Sequence, residues 1–172
     1  PAWAERWGVA FTVSNLGGTI NSPYADYAPV LTADEATIIF TSRRPESTGG
    51  KLTDDGKYYE DIYISEKDNF EWQKPKSIGP PINTNDHEAT IGLSPDGQTL
   101  LIYKYEKEVG FGDIFFSKLF GERWTVPQRF GSNINTTAFE PHASMSADVQ
   151  IIYFISNREG GFGGRDIYFC KK

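Results

Sequence analysis

The chain contains three copies of one sequence unit, and this internal repeat limits the possible folds more than any other feature. The copies align without gaps at Tyr27 to Arg44, Ala89 to Glu106 and Pro141 to Arg158. One acidic residue stands directly before each copy: Asp26, Glu88 and Glu140. A repeat of this kind is typical of supersecondary units that stack side by side and bury a continuous core between neighbours.

Each unit reads as a series of short strands joined by turns. The turns carry Asp34, Asp96 and Asp148, and each turn leads into an apolar run. A glycine-containing loop then leads into a further strand that begins at Asp61, Asp113 or Asp166. In the first two units a fourth element follows, from Trp72 to Asn83 and from Trp124 to Asn135. Four short strands in about 50 residues are the pattern of a β-propeller blade.

The sequence therefore predicts an all-β fold, a β-propeller built of four-stranded antiparallel blades, with three blades in this chain. We expect residues 1–172 to form one propeller segment. Its predicted parts are an outer strand of a shared blade (about 1–21) and three blades (22–83, 84–135 and 136–172). The stretch Ala4 to Trp7 is similar to Gly121 to Trp124, so an N-terminal strand is expected to complete the third blade.

Three blades are too few for a closed ring, because propellers usually have four to eight. Two explanations stay open. Either the chain is part of a larger propeller with further blades outside it, or two copies form a homodimer that completes a six-bladed ring. No signal peptide is recognisable in the sequence, and we interpret the chain as a processed or trimmed piece.

Several positions carry specific structural expectations. Small residues such as Gly92 and Ala143 are expected where the first strands converge, and Pro75 and Pro127 are expected at sheet edges. The first unit has about ten extra residues between 45 and 59, a polar loop that should stand out from the body as a mobile excursion. Glycines of the other loops should adopt positive φ. The phenylalanines beside them, Phe111 and Phe162, should fill the space between blades.

Composition excludes several classes of function. The net charge is −6 and the isoelectric point is about 4.9, which argues against a nucleic-acid partner. No apolar run is long enough for a membrane span, so direct membrane insertion is not expected. Cys170 is the only cysteine, which excludes an internal disulfide and a thiolate metal site. With only two histidines besides, we predict no metal and no cofactor.

The stretch Ser156 to Tyr168, with its Ser-Asn-Arg, glycine-rich and Asp-Ile-Tyr parts, resembles the TolB-like (WD40-like) β-propeller repeat, and so does Ser94-Pro95-Asp96-Gly97. The resemblance extends from about Gly17 to Phe169. Such repeats are found in Bacteroidetes envelope proteins beside OmpA-like and tetratricopeptide domains. The resemblance implies a periplasmic or outer-membrane-associated protein that contacts another envelope protein, with peptidoglycan association as one option. It implies no set of catalytic residues.

The repeated acids would be candidates for acid–base catalysis, but an active site is normally one constellation and not one copy per blade. We expect Asp26, Glu88 and Glu140 to accept hydrogen bonds from backbone N–H groups or from arginines such as Arg44 and Arg158. The predicted function is therefore a non-catalytic protein-interaction or scaffolding module. The alternative is a glycan-binding or glycan-acting propeller that uses the axis-facing acids together with His142.

Residues that break the repeat or lie beside the inserted loop are the best candidates for partner binding, because exposed tyrosines beside charges are favoured at interfaces. The predicted partner-binding residues are Arg44, Tyr58, Tyr59, His87, Tyr105, Glu106, His142 and Arg158. The first and third copies share Ser42/Ser156 and Arg44/Arg158, whereas the second copy has Lys104-Tyr105-Glu106 there. The second unit therefore lacks the arginine of the other two units, and with it the role of that arginine.

Overall fold

Three antiparallel β-sheets follow one another along the part of the chain that the structure describes. This computed structural model describes residues 12–106 and 110–172. Sheet 1 contains β1 (Asp26–Leu31), β2 (Thr37–Ser42), β3 (Asp61–Asp68), β4 (Glu71–Trp72) and β5 (Lys76–Ser77). Sheet 2 contains β6 (Glu88–Leu93), β7 (Thr99–Glu106), β8 (Phe111–Phe120), β9 (Arg123–Trp124) and β10 (Gln128–Arg129). Sheet 3 contains β11 (Ala143–Met145), β12 (Ile151–Ser156) and β13 (Asp166–Lys171).

The sheets share one topology, which confirms the predicted all-β antiparallel fold. Consecutive strands pair in the orders β1-β2-β3, β6-β7-β8 and β11-β12-β13. In the first two sheets, two further two-residue strands pair with the third long strand. The remaining regular elements of the described residues are one helical turn, α1 (Gly17–Ile20), and a short 3-10 turn (Thr48–Gly50).

The turns between the first and second strands form as their sequence predicts. The Asp96 carboxylate accepts from the Gln98 N–H at 2.9 Å and from the Ser94 hydroxyl at 2.5 Å. Asp34 and Asp148 accept from the matching backbone N–H and hydroxyl groups of their own turns. A short acidic side chain that bonds its own backbone stabilises a tight turn, and here it does so three times.

Prolines divide each outer strand into two short pieces, as expected for a sheet edge. Pro75 lies between β4 and β5, and Pro127 lies between β9 and β10. Proline cannot donate a ladder hydrogen bond, so pairing is interrupted at these positions and resumes after them.

The innermost strands lie close together, which requires small side chains. β6 contacts both β1 and β11. A Cβ atom on Gly92 of β6 would lie 3.1 Å from the Ala143 carbonyl oxygen of sheet 3 and 3.1 Å from a Leu101 methyl. The small residues predicted on the first strands are therefore required by the close approach of neighbouring sheets.

Each pair of neighbouring sheets buries an apolar layer. Ile39 and Ile62 of sheet 1 pack with Leu100, Ile102 and Phe115 of sheet 2. A second cluster joins sheets 2 and 3; it contains Leu101, Ile114, Ile134, Ala143 and Phe154. Sheet 2 is thus apolar on both faces, which explains the consecutive apolar residues of β7.

The connection between consecutive sheets contains a repeated Ile-Asn pair, which we call the Ile-Asn junction. Ile82 and Ile134 lie in the two apolar layers. The Asn83 side chain accepts from the Ile62 N–H and donates to the Ile62 carbonyl, both at 2.9 Å. Asn135 makes the same two bonds with Ile114, also at 2.9 Å. Each asparagine amide therefore acts like one further residue of a paired strand.

One structural expectation is wrong, one is confirmed in part, and a third is not covered. The loop over residues 45–59 packs against the body at its ends, where Ser47 is buried and Lys51 pairs with Asp86 at 3.7 Å, whereas residues 54–57 are exposed. Phe162 is fully exposed and fills no space between sheets. The strand expected near residues 1–11 lies outside the described residues. The positive φ angles of Gly110 and Gly160 are confirmed.

We predict that Asn135→Ala lowers the free energy of unfolding by about 2–3 kcal/mol, because the buried N–H of Ile114 loses its acceptor. Asn133→Ala is the matched control, since the Asn133 side chain is exposed and its change should cost less than about 0.5 kcal/mol. Urea unfolding of both variants measures the difference. Equal stabilities would show that the Ile-Asn junction is not needed to hold the sheet.

Candidate partner-binding site

The three repeated acids are engaged in one structural role. Glu140 accepts from the Thr136 N–H at 3.1 Å and from the Thr136 and Ser156 hydroxyls at 2.8 and 2.6 Å. Asp26 makes the corresponding contacts with Ser22 and Ser42. Glu88 accepts from the N–H and hydroxyl of Thr84. The expectation that these acids bind nearby backbone and cationic groups is confirmed.

Arg44 and Arg158 complete the same arrangement in sheets 1 and 3. The Arg158 guanidinium lies 4.8 and 4.9 Å from the ring centres of Phe154 and Tyr168. It also donates to the Ile134 carbonyl at 2.7 Å and lies 3.4 Å from Glu140. Arg44 does the same with Phe40, Tyr63, Ile20 and Asp26, and is only 8% exposed. Both arginines are thus occupied inside the chain, and Arg44 has little surface left for a partner.

Sheet 2 replaces this arrangement with a single lysine. Lys104 occupies the position of Ser42 and Ser156, and its amine lies 3.5 Å from Glu88. Burial raises the pKa of Glu88 because fewer hydrogen bonds oppose it. Burial acts on Asp26 and Glu140 too, but the serine and backbone hydrogen bonds outweigh it and lower the pKa of both. The second unit therefore departs from the repeat in its electrostatics as well as in its sequence.

Beside this departure, at the shared end of sheets 1 and 2, lies a cavity of about 430 Å³ that we call the aromatic cavity. Its lining residues are Leu52, Thr53, Asp54, Tyr59, Glu60, His87, Tyr103 and Tyr105. The Tyr59 and His87 rings stack with centroids 3.8 Å apart and planes 21° apart. The Tyr105 ring meets His87 edge-on at 6.2 Å. Three rings from three different segments thus make one wall.

Glu60 fixes the base of this wall. Its carboxylate accepts from the Tyr27 hydroxyl at 2.7 Å and from Arg43 at 2.6 Å, and it contacts Nδ1 of His87. Burial alone would raise the pKa of Glu60, but the hydrogen bonds from His87, Tyr27 and Arg43 outweigh burial and lower it to about 2. Burial and the neighbouring Glu60 raise the pKa of Tyr27. Glu60 is therefore a carboxylate that organises its neighbours.

The backbone brings these side chains to one place. Tyr59 and Glu60 precede β3, and His87 precedes β6. The Glu88 N–H donates to the Glu60 carbonyl at 3.1 Å, which joins the start of β6 to the start of β3. A Cβ atom on Gly112 of β8 would lie 2.3 Å from Cζ of Tyr103, so a larger residue there would displace this ring. The small residue leaves room for that ring.

The structure assembles some of the sequence-predicted residues and separates others. Tyr59, His87 and Tyr105 meet in the aromatic cavity. Tyr58 is beside them in sequence, and its ring meets Tyr24 edge-on at 5.9 Å. Glu106 ends β7, where it is paired in register with Phe111. The remaining three residues lie elsewhere: Arg44 and Arg158 inside their sheets, and His142 beside a separate cavity on sheet 3.

Sequence analysis missed Tyr27, Arg43, Glu60 and Tyr103. A signal was present, because Glu60 corresponds to Gly112 and Arg165 in the other units, and Arg43 to Tyr105 and Asn157. Breaks in the repeat thus mark this site better than exposed tyrosines alone.

No group of three or more metal-ligating side chains occurs in residues 12–106 and 110–172. Across the same residues, none of the helices has the length and hydropathy of a membrane span.

Comparison with solved structures identifies proteins with a similar fold. TolB from Acinetobacter baumannii superposes with a TM-score of 0.60 at 18% identity, over 89% of this chain and 31% of that one. The chain has the TolB-type β-propeller fold. It spans about a third of the length of that TolB chain. No protein-family profile and no curated protein sequence matches the chain.

Two further structures are similar at a lower level. Putative TolB from Agrobacterium tumefaciens has a TM-score of 0.48 at 18% identity, over 87% of this chain and 59% of that one. A structure from a study of two prolyl endopeptidases has a TM-score of 0.48 at 15% identity, over 86% and 20%. At these identities the TolB likeness concerns the fold alone.

We predict that Glu60→Gln destabilises the chain in a pH-dependent way. The pKa of Glu60 is about 2 in the folded chain against a usual 4.5, so its contribution is present above about pH 4.5 and is lost as the pH falls towards 2. The difference in unfolding free energy from the unmodified chain should be about 2–3 kcal/mol at pH 7 and shrink with acid.

Urea unfolding at a series of pH values between 7 and about 2.5 measures this difference. Glu122→Gln serves as the control, because Glu122 is exposed and makes no side-chain hydrogen bond or ion pair within the described residues. A gap for Glu60→Gln that stays constant with pH would contradict the ionised role of Glu60.

Proposed function

We propose that this chain is a non-catalytic protein-binding module whose partner inserts a basic side chain into the aromatic cavity. The observation that carries the proposal is the ring wall of Tyr59, His87 and Tyr105 beside Asp54. Asp54 is exposed at the rim, and among the described residues its carboxylate has no hydrogen-bond or ion-pair partner. Aromatic faces next to a carboxylate are the surroundings that lysine and arginine side chains favour.

The charges of the chain support this choice of partner. The net charge of −6 favours association with a basic surface. The Lys51 amine lies 5.8 Å from the centre of the Tyr59 ring, so one face of this ring already accommodates a cation. Because Tyr59 and His87 are held by each other and by Glu60, binding would cost little ordering of side chains.

A catalytic reading is less well supported. Asp26, Glu88 and Glu140 each have hydrogen-bond and ion-pair partners within their own sheet. The glycan alternative joined these acids with His142, which lines a different cavity from the aromatic one. These three acids therefore offer no converging pair of unengaged carboxylates for acid–base chemistry.

The proposal also covers the location of the protein in the cell and the arrangement of its blades. On the repeat resemblance and the TolB-type fold, we place the protein in the periplasm or at the outer membrane, bound to an envelope protein, with peptidoglycan association as a further option. We take the three sheets as blades over residues 22–83, 84–135 and 136–172. Residues 1–21 are then the outer strand of a shared blade, in a six-bladed ring formed by two copies.

We predict that Tyr105→Ala weakens partner binding by about 30-fold or more, as expected for an aromatic residue at the centre of an interface. The probe is a displayed library of random peptides selected on the unmodified chain, with counter-selection on Tyr105→Ala. Selected peptides should contain lysine or arginine and should lose affinity for the variant.

Phe120→Ala is the matched control, because Phe120 is exposed on β8 and lies outside the aromatic cavity. Its change should leave peptide binding within about twofold. Selected peptides that bind Tyr105→Ala as well as the unmodified chain, or that carry no basic residue, would overturn the proposed function. A library that yields no binder would do the same.

A further inference from the structure

The Ile-Asn junction forms twice within the chain. Sheet 1 and sheet 3, at the two ends of the row, each carry one half of a third such junction. Between sheets 1 and 2, and again between sheets 2 and 3, an asparagine amide binds an isoleucine backbone of the preceding sheet. An isoleucine next to that asparagine enters the apolar layer. At the first and last sheets, the part of the chain that the structure describes contains each of these halves without its counterpart.

Asn21 is the first half. It follows Gly17-Gly18-Thr19-Ile20 as Asn83 follows Ile82, and Ile20 packs on Ile38, Phe40 and Tyr63 of sheet 1. Asn83 and Asn135 are buried and bind a strand, whereas the Asn21 amide is only partly buried and donates to Asn15 at 3.0 Å. Asn21 therefore has the position of a strand-binding asparagine, but within residues 12–106 and 110–172 it binds no strand.

Ile167 is the second half. It occupies in β13 the position of Ile62 in β3 and Ile114 in β8, which are both 0% exposed, but Ile167 is 78% exposed. Phe169, two residues later on the same face, is 67% exposed. In the described part of the chain β13 pairs with β12 alone, so its other edge carries no strand. An apolar face and an open edge are thus exposed together.

A cavity between sheets 2 and 3 adds an independent observation. Trp124, in the outer strand of sheet 2, packs into the layer between sheets 1 and 2. At the corresponding place between sheets 2 and 3 lies an apolar cavity of about 330 Å³. Its lining includes Phe116, Phe130, Ile134, Met145, Ile152 and Cys170. Neither tryptophan of the described residues lines this cavity, and the sequence before Asn21 contains Trp7 in a Glu-Arg-Trp context like that of Trp124.

We propose that the Ile20-Asn21 segment of a second copy of this chain pairs with sheet 3. Asn21 of that copy binds the backbone of Ile167, and its sheet 1 covers Ile167 and Phe169. This inference rests on the two-copy ring of the proposed function and names the residues that close it. Two such junctions related by a twofold axis satisfy both copies equally.

The chain's own Asn21 cannot make this contact. Ile20 and Asn21 lie at the face of sheet 1 that is turned away from sheet 2, and sheet 2 separates sheet 1 from sheet 3. The matching apolar faces are therefore at opposite ends of one molecule. A second copy brings them together without any new kind of contact.

The first test is the absolute mass in solution, by light scattering or sedimentation equilibrium, over a range of concentrations. We expect about twice the chain mass of 19.3 kDa. Ile167→Asp should shift the equilibrium towards the single chain by at least tenfold. Val126→Asp is the control, because Val126 is 69% exposed and lies in sheet 2, away from the proposed contact.

The second test is amide hydrogen exchange at Ile167, which separates ring closure from the proposed pairing. In the dimer the Ile167 N–H should exchange slowly, as we also expect for the N–H groups of Ile62 and Ile114, which are bound by Asn83 and Asn135. Asn21→Ala should remove that protection. A single-chain mass at all concentrations would overturn both the ring and the pairing, whether or not Ile167 is protected. A dimer in which Asn21→Ala leaves Ile167 protected would overturn the pairing and leave the ring intact.

Discussion

The bidentate bond between an asparagine amide and an isoleucine backbone is the interaction on which the arrangement of the sheets depends. Asn83 and Asn135 each accept from an isoleucine N–H that would otherwise be buried without a partner, and each donates to a carbonyl that also accepts from the Ile78 or Phe130 N–H. The same few residues place Ile82 and Ile134 between neighbouring sheets. One short connection thus completes the hydrogen bonding of one sheet and joins it to the next. Because sheet 2 is covered on both faces in this way, it positions the loops that form the aromatic cavity.

Residues that recur between units have structural roles, whereas residues that break the repeat are the candidates for function. Asp26 with Arg44, and Glu140 with Arg158, recur because they make the same contacts at the starts of sheets 1 and 3. The second unit has Lys104 and Tyr105 instead, and the first has the inserted loop and Glu60. These departures meet at one place, since β3 and β6 begin side by side. The cavity therefore lies where two units differ from the common pattern, and its chemistry is not repeated in sheet 3.

Much of the fold could be predicted from the sequence, because the same pattern of strands and turns occurs in all three units. The Asp34, Asp96 and Asp148 turns and the proline-divided edges depend on neighbours within a few residues, so local pattern was sufficient. The site depends on contacts between distant segments: Glu60 and His87 are 27 positions apart. Arg44 looked like a surface residue because its charge was visible in the sequence, whereas its burial against Phe40 and Tyr63 was not. Phe162 was misjudged for the same reason, since hydrophobicity alone does not tell which side of a loop faces the core.

The most direct measurement of this account is the free energy of opening, by native-state hydrogen exchange, at the N–H groups of Ile62 and Ile114. If the asparagine bonds hold the sheets together, both amides should exchange only through global unfolding, with a free energy equal to that from urea unfolding. Exchange at either position through local opening, at a free energy similar to that of the exposed turn around Gly121, would contradict it. The sheets would then be held by apolar packing alone.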